Sequence, residues 1–224
     1  MRPSPRVLVA IFVPAMLILV GVAVVVVAGD LNVGDLTRDP VTILHGDPLT
    51  GVVSAFGVIL WWFTASICLF TLVLSRSLGL GRPIRVFLLS SGLLTLLLAV
   101  DDQFLIHDEL APNFLGMRER EVMAVYLVLA SIYLFVNRSI IRRSEWVILA
   151  TAFVFFGGSI AVDYFVQVTM TSADTIGVGL DWGLFFEDGL KLMGIAGWSA
   201  YLVRFSYFAV TQQIEHHSPE AGGA

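Results

Sequence analysis

A single cysteine, Cys68, in 224 residues excludes an intrachain disulfide, and its place in an apolar run leaves the redox compartment unread. Charge is scarce as well: Asp, Glu, Lys and Arg make up 14% of the chain, against about 25% in an ordinary soluble domain. The formal net charge of −5 and the lack of any basic stripe argue against a nucleic-acid binder. HExxH, GxSxG, a Walker A glycine loop and CxxC are all missing. The usual local signatures of a zinc protease, a serine hydrolase, a nucleotide-binding loop and a dithiol redox site are therefore absent. Low-complexity sequence is confined to the tail "SPEAGGA".

What the chain has instead is apolar length. It is 57% hydrophobic, with a mean hydropathy of +0.87, where a soluble domain is about 45–50% apolar. A membrane-crossing helix needs about 20 mostly apolar residues to span a hydrocarbon core of about 30 Å. Six stretches qualify: 7–28, 52–74, 83–106, 122–136, 146–170 and 182–203. The first follows a basic leader, "MRPSPR", but its apolar run exceeds the roughly 7–15 residues of a signal peptide, so an uncleaved span is expected. The fourth is short and borrows Glu121 and Asn137 at its ends.

Lys and Arg accumulate on the cytoplasmic side of membrane proteins. With the N-terminus inside, Arg2, Arg6, Arg76, Arg82, Arg85, Arg138, Arg142, Arg143 and Arg204 fall inside, and Arg38, Arg118, Arg120 and Lys191 outside. Trp146 and Trp182 then sit at opposite interfaces, as an aromatic belt requires. Of the 18 acids, Glu145, Glu215 and Glu220 lie inside and the rest lie outside or in the outer half of a span. Such an outer face attracts cations.

Three stretches carry ionisable groups below the membrane surface: Asp101 and Asp102 in the third, Asp163 in the fifth, and Glu187, Asp188 and Lys191 in the sixth. At about 1.5 Å per residue, all six lie roughly 7–13 Å beneath the outer boundary. Charged residues within spans usually face the bundle interior or a water-filled cavity and pair with one another. One outward-opening polar cluster is therefore expected, against the plainer reading that Asp101 and Asp102 mark a helix end surfacing early into headgroups. At 100° per residue, Asp101 and Asp108 share one stripe, Asp102 and Glu109 another, and His107 falls elsewhere with Gln103. The spacing predicts that one aspartate stripe enters the bundle while His107 to Glu109 leave it for the loop.

Glu187 and Asp188 stand near a helix N-terminus, where a carboxylate is favoured by about 0.3–1 kcal/mol. Asp101, Asp102 and Asp163 stand near helix C-termini, where the same dipole opposes them. Lys191, four residues after Glu187, is one partner in the favourable order. A single lysine cannot neutralise five carboxylates, which leaves protonated acids or a metal ion. A divalent metal has a possible ligand set in His107, Asp108 and Glu109 with Asp101 or Asp102; carboxylates suit Mg²⁺, Ca²⁺ or Mn²⁺, and Zn²⁺ or iron if the imidazole takes part. His45 is a weaker candidate, and His216 and His217 belong to the cytoplasmic tail. Gly157, Gly158, Ala161, Gly194 and Gly197 read as close helix packing, and Arg204 as a snorkelling anchor.

The blocks "DDQFLIHDE" and "FEDGLKLMG" resemble those of a loose group of uncharacterised bacterial multi-pass membrane proteins. In that group an acidic pair precedes a His–acid pair in one span, and an acidic, Gly-containing segment opens the last. The resemblance implies a bacterial plasma-membrane location and no established activity. The seven-span hydrolases that include alkaline ceramidases carry an HxxxH pair in their last helix, whereas the last span here has no histidine.

The expected architecture is all-α: one transmembrane domain over residues 1–224, an integral membrane bundle of six helices with both termini cytoplasmic. The expected function is binding of a cation or protons at the outward acidic site. Two alternatives stand beside it, a metal-dependent membrane hydrolase acting on a lipid-like substrate, and a small transporter or transporter accessory subunit. Transporters built from inverted repeats place their sites near the midplane. Inverting the first three spans onto the last three would carry acids to the inner end of the sixth, where none occur. The expected partners are the bilayer and a cation or lipid-like ligand, not nucleic acid; the oligomeric state is not readable.

Overall fold

The structure, a computed structural model, describes residues 5–29, 31–38, 40–170 and 178–217, with side chains 5–8, 10, 11, 14, 15, 35, 42, 119, 166–170, 178–182 and 214–217 outside that description. Every regular element among the described residues is helical. The chain packs as two compact units, residues 1–51 and 52–224, where the sequence reading has one domain.

The first unit holds α1 (Pro5–Gly29) and two short helices, α2 (Val33–Thr37) and α3 (Pro40–Ile43). Asn32 starts α2 because its side-chain oxygen accepts the Gly34 N–H at 3.0 Å, satisfying a donor that has no partner within the helix.

The second unit contains α4 (Val52–Leu74), α5 (Arg82–Phe104), a single π-helical turn (Ile106–Leu110), α6 (Ala111–Leu115), α7 (Glu119–Arg143), α8 (Trp146–Met170) and α9 (Val178–His217). The long α9 packs along α8 and α4, α4 packs against α5, and α7 touches α5. Pro83 opens α5, where its missing N–H costs nothing. Glu121 closes the start of α7 by accepting the Arg118 N–H at 3.0 Å. Gly194 and Gly197 explain how closely α9 approaches α8. A Cβ on Gly194 would stand 2.7 Å from the Phe156 ring, and one on Gly197 3.0 Å from the Ala152 methyl and 3.3 Å from its backbone. Gly158 makes only ordinary contact with Leu190, and a Cβ on Gly157 would meet nothing within 4 Å among the described residues.

Among the described residues four helices are long and apolar enough to cross a membrane: Val52–Leu74, Arg82–Phe104, Arg120–Arg143 and Trp146–Phe165. Their outer faces stay apolar. Only 11% of the most apolar stretch of α7 is buried inside the protein, a pattern that lipid tolerates and water does not. This is the build of a membrane protein. The expected stretch 7–28 falls in α1, whose described apolar run is Met16–Gly29, and 182–203 falls in α9, with the side chains of 7, 8 and 182 outside the described residues.

Besides α9, which runs on to His217, two helices differ from their apolar limits. The helix around 122–136 runs on through Arg143, because Asn137 turns inward to donate to the Tyr133 carbonyl and the Ser90 hydroxyl while Arg138 lies over the Phe135 ring. The third stretch stops at Phe104, two residues early, where Leu105 takes a left-handed conformation (φ 50°, ψ 47°).

The interior of the second unit interleaves aromatic and hydroxyl groups. Trp61, Phe87, Tyr133, Trp198 and Tyr201 form its centre. Trp198 donates to the Thr95 hydroxyl at 2.9 Å, and the Ser91 and Tyr133 hydroxyls share a bond of 2.9 Å. Helices in lipid gain nothing by hiding leucine from leucine, so small and hydroxyl residues carry their contacts. Arg204, within α9, forks onto both oxygens of Glu145 in the α7–α8 connection at 2.6 Å and holds that carboxyl below its usual range, so the expected anchor is an ion pair.

Candidate functional site

The left-handed residue decides where the ionisable groups go. A bulky non-glycine residue at positive φ is uncommon and strained, and what holds it here is the Asp101 carboxylate. Asp101 Oδ1 accepts the backbone N–H of His107 at 3.0 Å, and Oδ2 meets the His107 ring nitrogen Nδ1 at 2.6 Å. The chain therefore folds back on the end of α5, and the π-turn continues from it with Glu109 and Leu110 N–H groups on the Leu105 carbonyl. Tyr126 on α7 donates its hydroxyl to Asp101 Oδ1 at 2.7 Å. Asp101 is 4% exposed and accepts three hydrogen bonds.

The prediction that His107 leaves the bundle is corrected by this geometry. A continuous helix would carry His107 to another side; the reversal at Leu105 returns it to Asp101. The outer nitrogen, Nε2, lies 3.1 Å from Asp108, whose side chain is 45% exposed. With Nδ1 donating to Asp101, Nε2 carries a proton only when the ring is cationic, and Asp108 then completes an acid–imidazolium–acid row. The hydrogen bond to Asp101 raises the His107 pKa above its ordinary value, burial opposes the rise, and the Asp101 and Asp108 charges add to it.

Asp102 points to a different side of α5. Lys191 on α9 donates to Oδ1 at 2.6 Å, and the Trp61 indole N–H on α4 donates to Oδ2 at 3.1 Å. The carboxylate is 9% exposed and the lysine side chain 39%. Helical spacing pairs Lys191 with Glu187; the ammonium reaches across to Asp102, the more buried acid. Beside this pair is a cleft of about 20 Å³, lined by Asp102, Asp188, Lys191 and the apolar side chains of Val53, Leu192 and Ile195. That space fits one water.

The charges of Asp163, Asp188, Lys191 and Asp108 all act on Glu187, which joins α8 and α9 to the cluster electrostatically. Glu109 turns away and accepts from Asn113 at 3.0 Å. Among the described residues no three His, Cys, Asp or Glu side chains are grouped to hold a metal ion. The set His107, Asp108 and Glu109 with Asp101 or Asp102 does not converge, because each imidazole nitrogen already faces a carboxylate, Asp102 faces lysine and Glu109 faces an amide.

Two members were missed by sequence reasoning, Trp61 and Tyr126. A buried indole N–H or phenol O–H needs a polar partner, so each, set within an apolar helix, was a signal that a polar group stands opposite.

The chain belongs to the family described as Domain of unknown function (DUF8692). The family's model matches residues 10–205, a range that includes both aspartates, His107, Trp61, Tyr126 and Lys191. No curated protein and no solved structure matches the chain.

Proposed function

We propose that this is a six-span, multi-pass plasma-membrane protein with both termini cytoplasmic, whose aspartate–histidine cluster takes up and releases a proton at the extracytoplasmic side. The observation that carries the reading is the 2.6 Å approach of His107 Nδ1 to a buried carboxylate at the foot of a strained reversal. Protonating Nε2 turns the bond from a neutral imidazole into an ion pair with the Asp101 carboxylate and recruits Asp108. The state of one ring thereby sets how firmly residues 105–110 are held against α5 and α7. Proton binding is favoured over a metal cation because the carboxylates and the imidazole already partner one another. Hydrolysis at a metal has less support, since the same carboxylates and imidazole that would hold the metal are engaged with one another and with Lys191.

The sign of the pH dependence follows from His107. Its folded-state pKa lies above the ordinary 6.5, so the stabilisation is fully present below about pH 6.5 and is lost as pH rises through the elevated value. The test is a histidine-labelled NMR titration of the protein in nanodiscs, with the His107 signal identified from His107→Gln, alongside thermal melting from pH 5 to 9. The expected results are a midpoint above 6.5 that falls in Asp101→Asn, and a melting temperature that declines with pH in the wild type but not in His107→Gln. A His107 midpoint unmoved by Asp101→Asn removes the proposal. Proteoliposome flux abolished by His107→Gln would turn the same site toward transport.

A further inference from the structure

The opposite end of the α4–α5 hairpin carries a second feature, independent of the aspartate cluster. A cleft of about 600 Å³ lies there, with Arg76, Arg82 and Arg85 around it and Val73, Val86 and Leu89 along one wall. The connecting sequence, "SRSLGLGRPIR", contains no acid. Among the described residues none of the three guanidinium groups has a carboxylate partner, in contrast to Arg204 on Glu145. Arg85 reaches in far enough that its Nε is buried without a hydrogen-bond partner, a state that costs stability unless something accepts from it. The apolar wall is equally unmatched: Val73 is 72% exposed, Val86 42% and Leu89 43%.

Three guanidinium groups lining one cleft suit the oxygens of a phosphate, which guanidinium engages through paired N–H donors. A volume of about 600 Å³ lies within the usual range of ligand pockets, about 300–1,000 Å³. An inorganic anion would use the arginines and leave the wall untouched. An amphipathic anion uses both. The wall residues belong to helices long and apolar enough to cross the membrane, so an acyl chain beside them lies at hydrocarbon depth. Basic pockets between transmembrane helices are suited to anionic headgroups.

We propose that this cleft is a binding site for an anionic phospholipid, its phosphate held by Arg76, Arg82 and Arg85 and one acyl chain lying along Val73, Val86 and Leu89. The site is separate from the proton cluster and stands or falls without it.

The experiment uses the full chain in detergent, with native mass spectrometry and thermal melting against phosphatidylglycerol, phosphatidylcholine and inorganic phosphate. Phosphatidylglycerol is expected to bind and raise the melting temperature, and the other two to do neither at equal concentration. An arginine near an anionic lipid surface contributes roughly fivefold in affinity, so Arg76→Gln/Arg82→Gln/Arg85→Gln is expected to lose about 100-fold. Arg138→Gln/Arg142→Gln/Arg143→Gln removes the same charge from elsewhere and is expected to change affinity by less than about threefold. If the first triple variant does not fold, the exposed single change Arg82→Gln carries the test, with a loss of about fivefold. Equal losses in both triple variants would show general surface charge and overturn the site. Equal binding of phosphatidylcholine, or competition by inorganic phosphate at the same concentration, would overturn its lipid specificity.

Discussion

Asp101 and Asp102 are adjacent on one helix, yet the structure neutralises them by different routes. Asp101 turns toward α7 and is held by groups that are neutral or titratable: a tyrosine hydroxyl, a backbone N–H and an imidazole six residues away. Asp102 turns toward α4 and α9 and is held by a lysine 89 residues away and an indole N–H. The first centre contains a titratable imidazole; the second contains an ammonium group. On the proton-site proposal the pair separates sensing from holding: pH would act on the reversal at Leu105 and leave the Lys191–Asp102 contact in place.

The strongest way to break this asymmetry is to remove the titratable side. Asp101→Ala leaves the His107 backbone N–H, its ring N–H and the Tyr126 hydroxyl without their acceptor. At about 1 kcal/mol for each buried donor left unpaired, the expected loss is about 3 kcal/mol in chemical denaturation of the protein in mild detergent. The pH dependence of melting should vanish with it. Retained pH dependence would place the titrating group elsewhere.

Lys191→Ala breaks the other side. Asp102 stays buried with only Trp61 as donor, and because the lysine is partly exposed, water recovers some of the loss; about 2 kcal/mol is expected. Here the loss should be the same at pH 5.5 and pH 8, and Asp102→Asn on the Lys191→Ala background should restore about half of it, the coupling that a double-mutant cycle reads. A loss that varies with pH would mean that the two centres titrate together.

A smaller change sharpens the same contrast. Trp61→Phe removes one donor to a charged acceptor while keeping an aromatic ring stacked near Phe156, 6.0 Å away in the native protein. The expected cost is about 1–2 kcal/mol, additive with Asp101→Ala to within about 0.5 kcal/mol, because the two carboxylates share no partner. Strong non-additivity would show one network in place of two.

Much of this arrangement was legible. Apolar runs locate α4, α5 and α8 to within a few residues, since length and lipid-compatible composition leave few alternatives. Depth alone set Asp102 and Lys191 at one level, and the structure pairs them, while Asp101 turns to another side of α5. The partners were less legible. Spacing along one helix pairs Lys191 with Glu187, four residues off, and carries no information about an acid on another helix. Trp61 and Tyr126 had a readable signal in their buried polar hydrogens, which hydropathy counts as apolar. The reversal at residue 105 had none, because the sequence places leucine where glycine or asparagine usually signals a left-handed turn.

That leucine allows the finest test. Leu105→Gly removes the left-handed penalty, roughly 1–2 kcal/mol, but gives the unfolded chain more freedom and deletes a side chain already 49% exposed, together worth about 1 kcal/mol. The two nearly cancel, and the expected change in stability is below about 1 kcal/mol. The pH response should nevertheless be altered. If strain at Leu105 opposes the closed turn and the His107–Asp101 contact holds it, relieving the strain makes closure less dependent on the imidazole charge. The melting temperature of Leu105→Gly should then fall less between pH 6 and 9 than that of the wild type, with Phe104→Gly, on the regular helix beside it, losing about 1 kcal/mol or more and keeping the full slope. An unchanged slope in Leu105→Gly would separate the strained backbone from the histidine and leave Asp101 as a helix-end cap alone.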